Sequence, residues 1–174
     1  MLFLSLGMAW AQQIPLTDGA IVTITNVQQN GTEYALHIYN ETLSVGGANA
    51  AATSLGDGAK FKAIQKTNGK WAFYNESTNL YLIWRGNSGN PGQNNNKGTL
   101  GEYDATYCDL TVVDGSNVKE GLVALSGQRA GAKRKGEIVL LNNGNFDAWD
   151  GDPSWAGNYS NLFRIDVLEE NVTA

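Results

Sequence analysis

At 174 residues, with a formal net charge of −5 and 17% charged side chains, the chain can bury one substantial core. It lacks the basic footprint that a nucleic-acid binder needs to displace counterions. Glycine is abundant (21), proline scarce (3), and Trp, Tyr and Phe number 5, 7 and 5, a composition that leans towards an all-β protein.

The first element is an apolar stretch, Leu2 to Met8, running into Ala9-Trp10-Ala11 and Gln12. Small residues at the first and third positions before a cut are what a signal peptidase accepts, so residues 1–11 read as a signal peptide of a secreted chain. The stretch is too short to cross a bilayer, and no membrane insertion is expected. The folded domain is taken as 12–170, with 171–174 a tail or the start of a linker.

Past that leader no window shows sustained helical spacing. Short alternating runs separated by Gly, Asn, Asp and Ser recur instead, the pattern of strands and hairpins. One family of runs comes four times, at Ala20–Ile24, Lys60–Ile64, Asp109–Val113 and Leu162–Val167. After each of the first three comes a second strand, at Tyr34–Ile38, Trp71–Tyr74 and Glu137–Leu141. Each of these meets an asparagine-bearing turn, at Asn40, Asn75 and Asn142, a residue that tolerates positive φ. A third strand follows. Tyr81-Leu82-Ile83-Trp84 and Phe146-Asp147-Ala148-Trp149 share an aromatic, variable, apolar, Trp pattern, and Leu43-Ser44-Val45-Gly46 is a shorter relative. The last run, Leu162–Val167, is expected to pair back near Ala20 and close the set. Alternation puts Ile21, Leu36, Phe73, Leu140 and Phe163 inside.

Three units of about four strands, with the end returning to the start, resemble a β-trefoil, with bounds near 18–56, 57–107 and 108–168. A two-sheet β-sandwich is the alternative, since it also gives short strands at regular spacing. The order of apolar strand, glycine turn, strand ending in Asn, then apolar-Asp strand and polar loop is similar to the ricin-B-like lectins. The Gln-x-Trp signature and the cysteine pairs of that family are absent.

Catalysis finds little support, and no enzyme activity or cofactor is expected. The one histidine, His37, sits mid-strand between Leu36 and Ile38, where a packing or surface role outweighs a general base. The one cysteine, Cys108, allows no intrachain bridge and reads as a small buried hydrophobe. Asp147, Asp150 and Asp152 form the densest acidic group. The spacing of a calcium loop is missing there, and carboxylates so close in sequence commonly cap turns. The segment from Asp147 to Asn161 better fits sugar recognition, which uses an aromatic ring against C–H faces and carboxylate and amide groups on hydroxyls.

The resemblance implies that Asp147 holds sugar hydroxyls, Trp155 stacks and Asn158 completes the site, with Asp150 beside them. Ser44 and Leu82 take the equivalent place in the other units. The expected ligand is a glycan or polysaccharide, bound mainly through the third repeat. The module is then free-standing or an accessory of a larger protein with a covalently linked catalytic domain. Two further readings are a protease inhibitor presenting the polar loop Arg85–Gly98, and a structural spacer. The basic cluster Arg129, Lys133, Arg134 and Lys135 reads as a solvated loop tip.

Overall fold

A computed structural model describes residues 16–40, 42–84, 98–127, 136–142, 145–150 and 161–170, with side chains over 16–40, 43–83, 100–126 and 161–170. Among the described residues there are twelve strands: β1 (Ile21–Val27), β2 (Glu33–Tyr39), β3 (Thr42–Val45), β4 (Phe61–Gln65), β5 (Trp71–Asn75), β6 (Leu80–Trp84), β7 (Gly98–Gly101), β8 (Leu110–Asp114), β9 (Val123–Gly127), β10 (Gly136–Asn142), β11 (Asn145–Asp150) and β12 (Phe163–Glu169). A 3-10 segment, Ala52–Ala59, precedes β4, and a single helical turn, α1 (Ala105–Cys108), precedes β8.

Six strands pair antiparallel in a closed ring, β1 to β4, β5, β8, β9, β12 and back to β1. The last strand does return to the first, with Val22 opposite Val167 and Ile24 opposite Ile165. A ring leaves its member strands without a free edge, and this architecture is not that of two facing sheets. Three ring strands each carry a hairpin: β2–β3 on β1, β6–β7 on β5, and β10–β11 on β9. The second arms β3, β7 and β11 approach one another.

The register repeats three times. Val22 lies opposite Phe61, Trp71 opposite Leu110, and Val123 opposite Phe163. Phe61, Leu110 and Phe163 have no solvent exposure and form one layer inside the ring. Ile24, Phe73 and Leu125 form the next, and Leu36 and Leu82 from two first arms join the same cluster. Fully burying each such side chain contributes about 1.5–3 kcal/mol of transfer free energy. Leu36, Phe73 and Phe163 are thus inside, as alternation implies. Ile21 is not: the inward series on β1 runs through Val22 and Ile24, one residue out of phase, and leaves Ile21 half-buried on the outer wall. The side chain of Leu140 lies outside the described residues.

Grouped by pairing, the units are β1–β4, β5–β8 and β9–β12, whereas cuts at 57 and 108 would divide the strands three, four and five. The likeness between Tyr81–Trp84 and Phe146–Trp149 does not mark equivalent strands. The first is β6, a first hairpin arm, and the second is β11, a second arm. An aromatic-apolar-Trp string reports a half-buried strand, which either arm can be. The register makes Ser44, Thr99 and Asp147 equivalent, opposite His37, Ile83 and Val139; Leu82 belongs elsewhere. The repeat that does match in space is Val22-Thr-Ile-Thr-Asn26, Trp71-Ala-Phe-Tyr-Asn75 and Val123-Ala-Leu-Ser-Gly127.

Its terminal asparagines have a structural job. The Asn26 amide donates to the Leu162 carbonyl at 2.9 Å, and the Asn75 amide to the equivalent Lys60 carbonyl at 2.9 Å. Each ties a hairpin base to the ring strand beside it. The third unit has Gly127 there, without a side chain to make the bond.

Candidate functional site

In the first two units the chain after the second arm folds back over the hairpin. The 3-10 segment covers the first hairpin, and Gly58 permits it, because a Cβ there would lie 2.5 Å from the Ile38 carbonyl oxygen. In the second unit residues 102–109 do the same. Asp104 caps α1 by accepting from the Thr106 N–H at 2.9 Å, and Cys108 closes the turn through its N–H to the Asp104 carbonyl at 2.7 Å. Cys108 is buried with Ala72 and Ile83, and Tyr81 and Tyr107 pack on that small cluster. Burial pushes its thiol pKa up, which keeps it protonated and inert. As expected it is a buried hydrophobe, though at the end of a helical turn and not within a strand.

This fold-back leaves an open cleft of about 510 Å³. Ile83 and Leu100 form its apolar floor, Tyr103 and Tyr107 its aromatic walls, and Glu102 and Asp104 its acidic rim. Gly101 keeps the floor open, since a Cβ there would overlap Ile83 Cδ1. Tyr103 is 41% exposed and held from several sides. The ammonium of Lys66 lies 4.0 Å from its ring centroid, the Tyr81 ring stands 5.3 Å away, and its hydroxyl donates to Asp109 Oδ1 at 3.0 Å. Desolvation raises the Tyr103 pKa, so the phenol stays a neutral donor, and contact with that phenol raises the Lys66 pKa. An aromatic wall, apolar floor and carboxylate rim are the groups that a pyranose ring and its hydroxyls require.

A second cleft, of about 360 Å³, lies on the outer wall beside Ile21. Both of its lysines are already paired, Lys60 to Asp57 at 2.9 Å and Lys62 to Glu76 at 3.7 Å, and Glu169 adds a further carboxylate. Among the described residues no group of three or more His, Cys, Asp or Glu could hold a metal ion.

Of the residues expected from sequence, Asp147 and Asp150 lie on β11, opposite Val139 and Gly136. Their side chains are outside the described residues, as are Trp155, Asn158, the leader 1–11 and the basic cluster 129–135. Tyr103 and Tyr107 were not anticipated. The available signal was Asp104-x-Thr106, a helix cap that interrupts the alternating run and turns its tyrosines outward.

His37 occupies the position that Ile83 and Val139 take in the other units. Among the described residues its Nδ1 is buried without a hydrogen-bond partner, and burial lowers its pKa. The unfolded chain therefore takes up a proton first, and stability falls as pH drops through about 6.5. Glu33, whose carboxyl is held below its usual range by hydrogen bonds from Arg164, adds its loss only at lower pH. We expect His37→Ile to flatten the slope of denaturation midpoint against pH between about 7 and 5. An unchanged slope would assign that titration to another group.

No family model matches the chain, and no curated protein matches it in sequence. Solved structures do match it. A BEL β-trefoil aligns at a TM-score of 0.61 and 14% identity, over 89% of this chain and 99% of that one. ThreeFoil, a designed 3-fold symmetric protein, aligns at 0.59 and 14% identity, over 85% and 99%. The ricin B-like lectin of Macrolepiota procera, in complex with lactose, aligns at 0.55 and 16% identity, over 87% and 98%.

The chain has the β-trefoil fold.

The closed ring is the trefoil barrel, and the three hairpins are its cap. The trefoil frame also sorts the residues above by origin. Phe61, Leu110 and Phe163 recur because each unit needs them, whereas the Tyr103 cleft belongs to the second unit alone among the described residues.

Proposed function

We propose that the chain is a secreted, lectin-like carbohydrate-binding module. It recognises a glycan mainly through its third unit, at Asp147, Asp150, Trp155 and Asn158, with the Tyr103 cleft of the second unit as a further contact. The observation that carries the glycan reading is that cleft, where an exposed tyrosine is fixed beside an apolar floor and two carboxylates. A fixed ring loses little freedom on binding, which favours stacking on a weakly held sugar. The third-unit assignment is supported by residue types in the sequence and by the resemblance to ricin-B-like lectins. Secretion is supported by the leader-like residues 1–11, and the module serves either free-standing or joined to a catalytic domain.

Glycan-array screening tests the reading. Tyr103→Ala is expected to weaken the bound glycan about tenfold, equivalent to about 1.4 kcal/mol, and Asp147→Ala to weaken it more. Binding that survives the double variant undiminished would sink both sites, and a blank array would sink the function.

A further inference from the structure

The Tyr103 cleft carries a charge pattern that the trefoil does not require. Leu36 pairs with Val45 as Leu82 pairs with Leu100, so Gly46 and Gly101 are equivalent. Counting on from these glycines, Gly47-Ala48-Asn49 of the first unit stand where Glu102-Tyr103-Asp104 stand in the second. Both units fold back over their hairpins from this point, the first of them without a ring or a charge. The aromatic wall and its two carboxylates are therefore additions of the second unit.

The last residue of each triplet has a backbone role. Asn49 Oδ1 accepts from the Glu33 N–H at 3.0 Å, and Asp104 Oδ1 from the Thr106 N–H at 2.9 Å. Glu102 has none. It is exposed on the rim, and among the described residues no hydrogen bond or ion pair reaches its carboxylate. No described lysine or arginine lines the cleft. Lys66 stands 4.0 Å from the Tyr103 centroid, and Asp109, which accepts the Tyr103 hydroxyl, offsets its charge. Glu102 and Asp104 are left uncompensated beside the ring. A ligand bearing a carboxylate or sulfate meets two like charges there, whereas an ammonium meets two opposite ones. Repulsion of the wrong partner is as effective a source of specificity as attraction of the right one.

Resting on the glycan reading of this cleft, we propose that it selects its sugar by charge, with Glu102 as the determining residue. Amine-bearing sugars bind best, neutral sugars next, and sugars carrying a carboxylate or sulfate worst.

Calorimetric titration tests this with methyl glycosides that differ in one group: the amino sugar, its neutral parent and the uronate. Both gluco and galacto series are used, at a pH where the amine is protonated. At low salt the amine is expected to bind about tenfold tighter than the uronate in at least one series. Salt at about 1 M, where the Debye length is about 3 Å, should compress that ratio. Glu102→Gln should reduce it to about threefold at low salt. Asp104 also caps α1, so Glu102→Gln is the deciding variant, and its thermal unfolding confirms that it folds. A uronate that binds as tightly as the amine, or a ratio that Glu102→Gln leaves unchanged, overturns the proposal. If Tyr103→Ala still weakens the glycosides in that case, the cleft reading stands alone. Failure of every glycoside to bind overturns both.

Discussion

Phe163→Ala is expected to lower the unfolding free energy by about 3–5 kcal/mol, the cost of removing a fully buried aromatic and leaving a cavity. Three observations put this residue at the upper end. It has no solvent exposure and shares one layer with Phe61 and Leu110. It also sits on β12, the strand that pairs with both β1 and β9 to close the ring. Its neighbours cannot collapse into the gap without shifting two ladders at once, so relaxation recovers little. For a chain of this size the loss corresponds to roughly 6–20 °C in Tm. Equilibrium urea unfolding measures it, with an unchanged m-value showing that the native state keeps its compactness. A loss below about 1 kcal/mol would mean that the layer is loosely packed.

The second large effect is polar. Asn75 is fully buried at the base of the second hairpin and uses both ends of its amide. The nitrogen donates to the carbonyls of Asp57 and Lys60, at 3.0 and 2.9 Å. The oxygen accepts from the Thr78 N–H at 3.0 Å and from the Ser77 hydroxyl at 2.6 Å. Asn75→Ala strands all of these partners at once, and each buried group left unpaired costs about 1–3 kcal/mol. Water reaching the turn side offsets part of this, so we expect about 3 kcal/mol in total. Asn75→Asp keeps the acceptor, loses the donors and adds a charge, and should be no better. Hydrogen exchange at the Thr78 amide gives an independent readout: it should accelerate in Asn75→Ala and stay slow in a surface control such as Tyr39→Ser. An equal effect in both variants would remove the special role of the buried amide.

These two residues also mark where sequence reading succeeds and where it fails. Phe163 was legible because it lies in an alternating run matching Lys60–Ile64 and Asp109–Val113, which are the equivalent strands β4 and β8. Ala20–Ile24 looks the same, yet β1 belongs with β5 and β9. Alternation reports which face is apolar, and says nothing of which partner a strand takes. Asn75 was read as a turn residue tolerating positive φ. Among the described residues the asparagines that adopt it are Asn40, Asn49 and Asn79, at φ 49°, 59° and 57°, while Asn75 ends a strand and serves through its side chain. The Tyr103 cleft was harder still. Its parts come from β6, β7 and the α1 segment, and they converge only after the fold-back that Asp104 initiates. Tyr81 comes beside Tyr103 through the pairing of β6 with β7, not through sequence.

The meeting of β1 with β12 has a mechanical consequence. Ile21, at the start of one strand, lies opposite Glu169, at the end of the other, and Thr17 reaches Glu170 through a side-chain hydrogen bond. The two ends of the domain therefore leave side by side. A tug between them peels the closing ladder open one rung at a time and never loads its rungs together. A ring that leaves its strands no free edge is then weak against tension applied at that single seam.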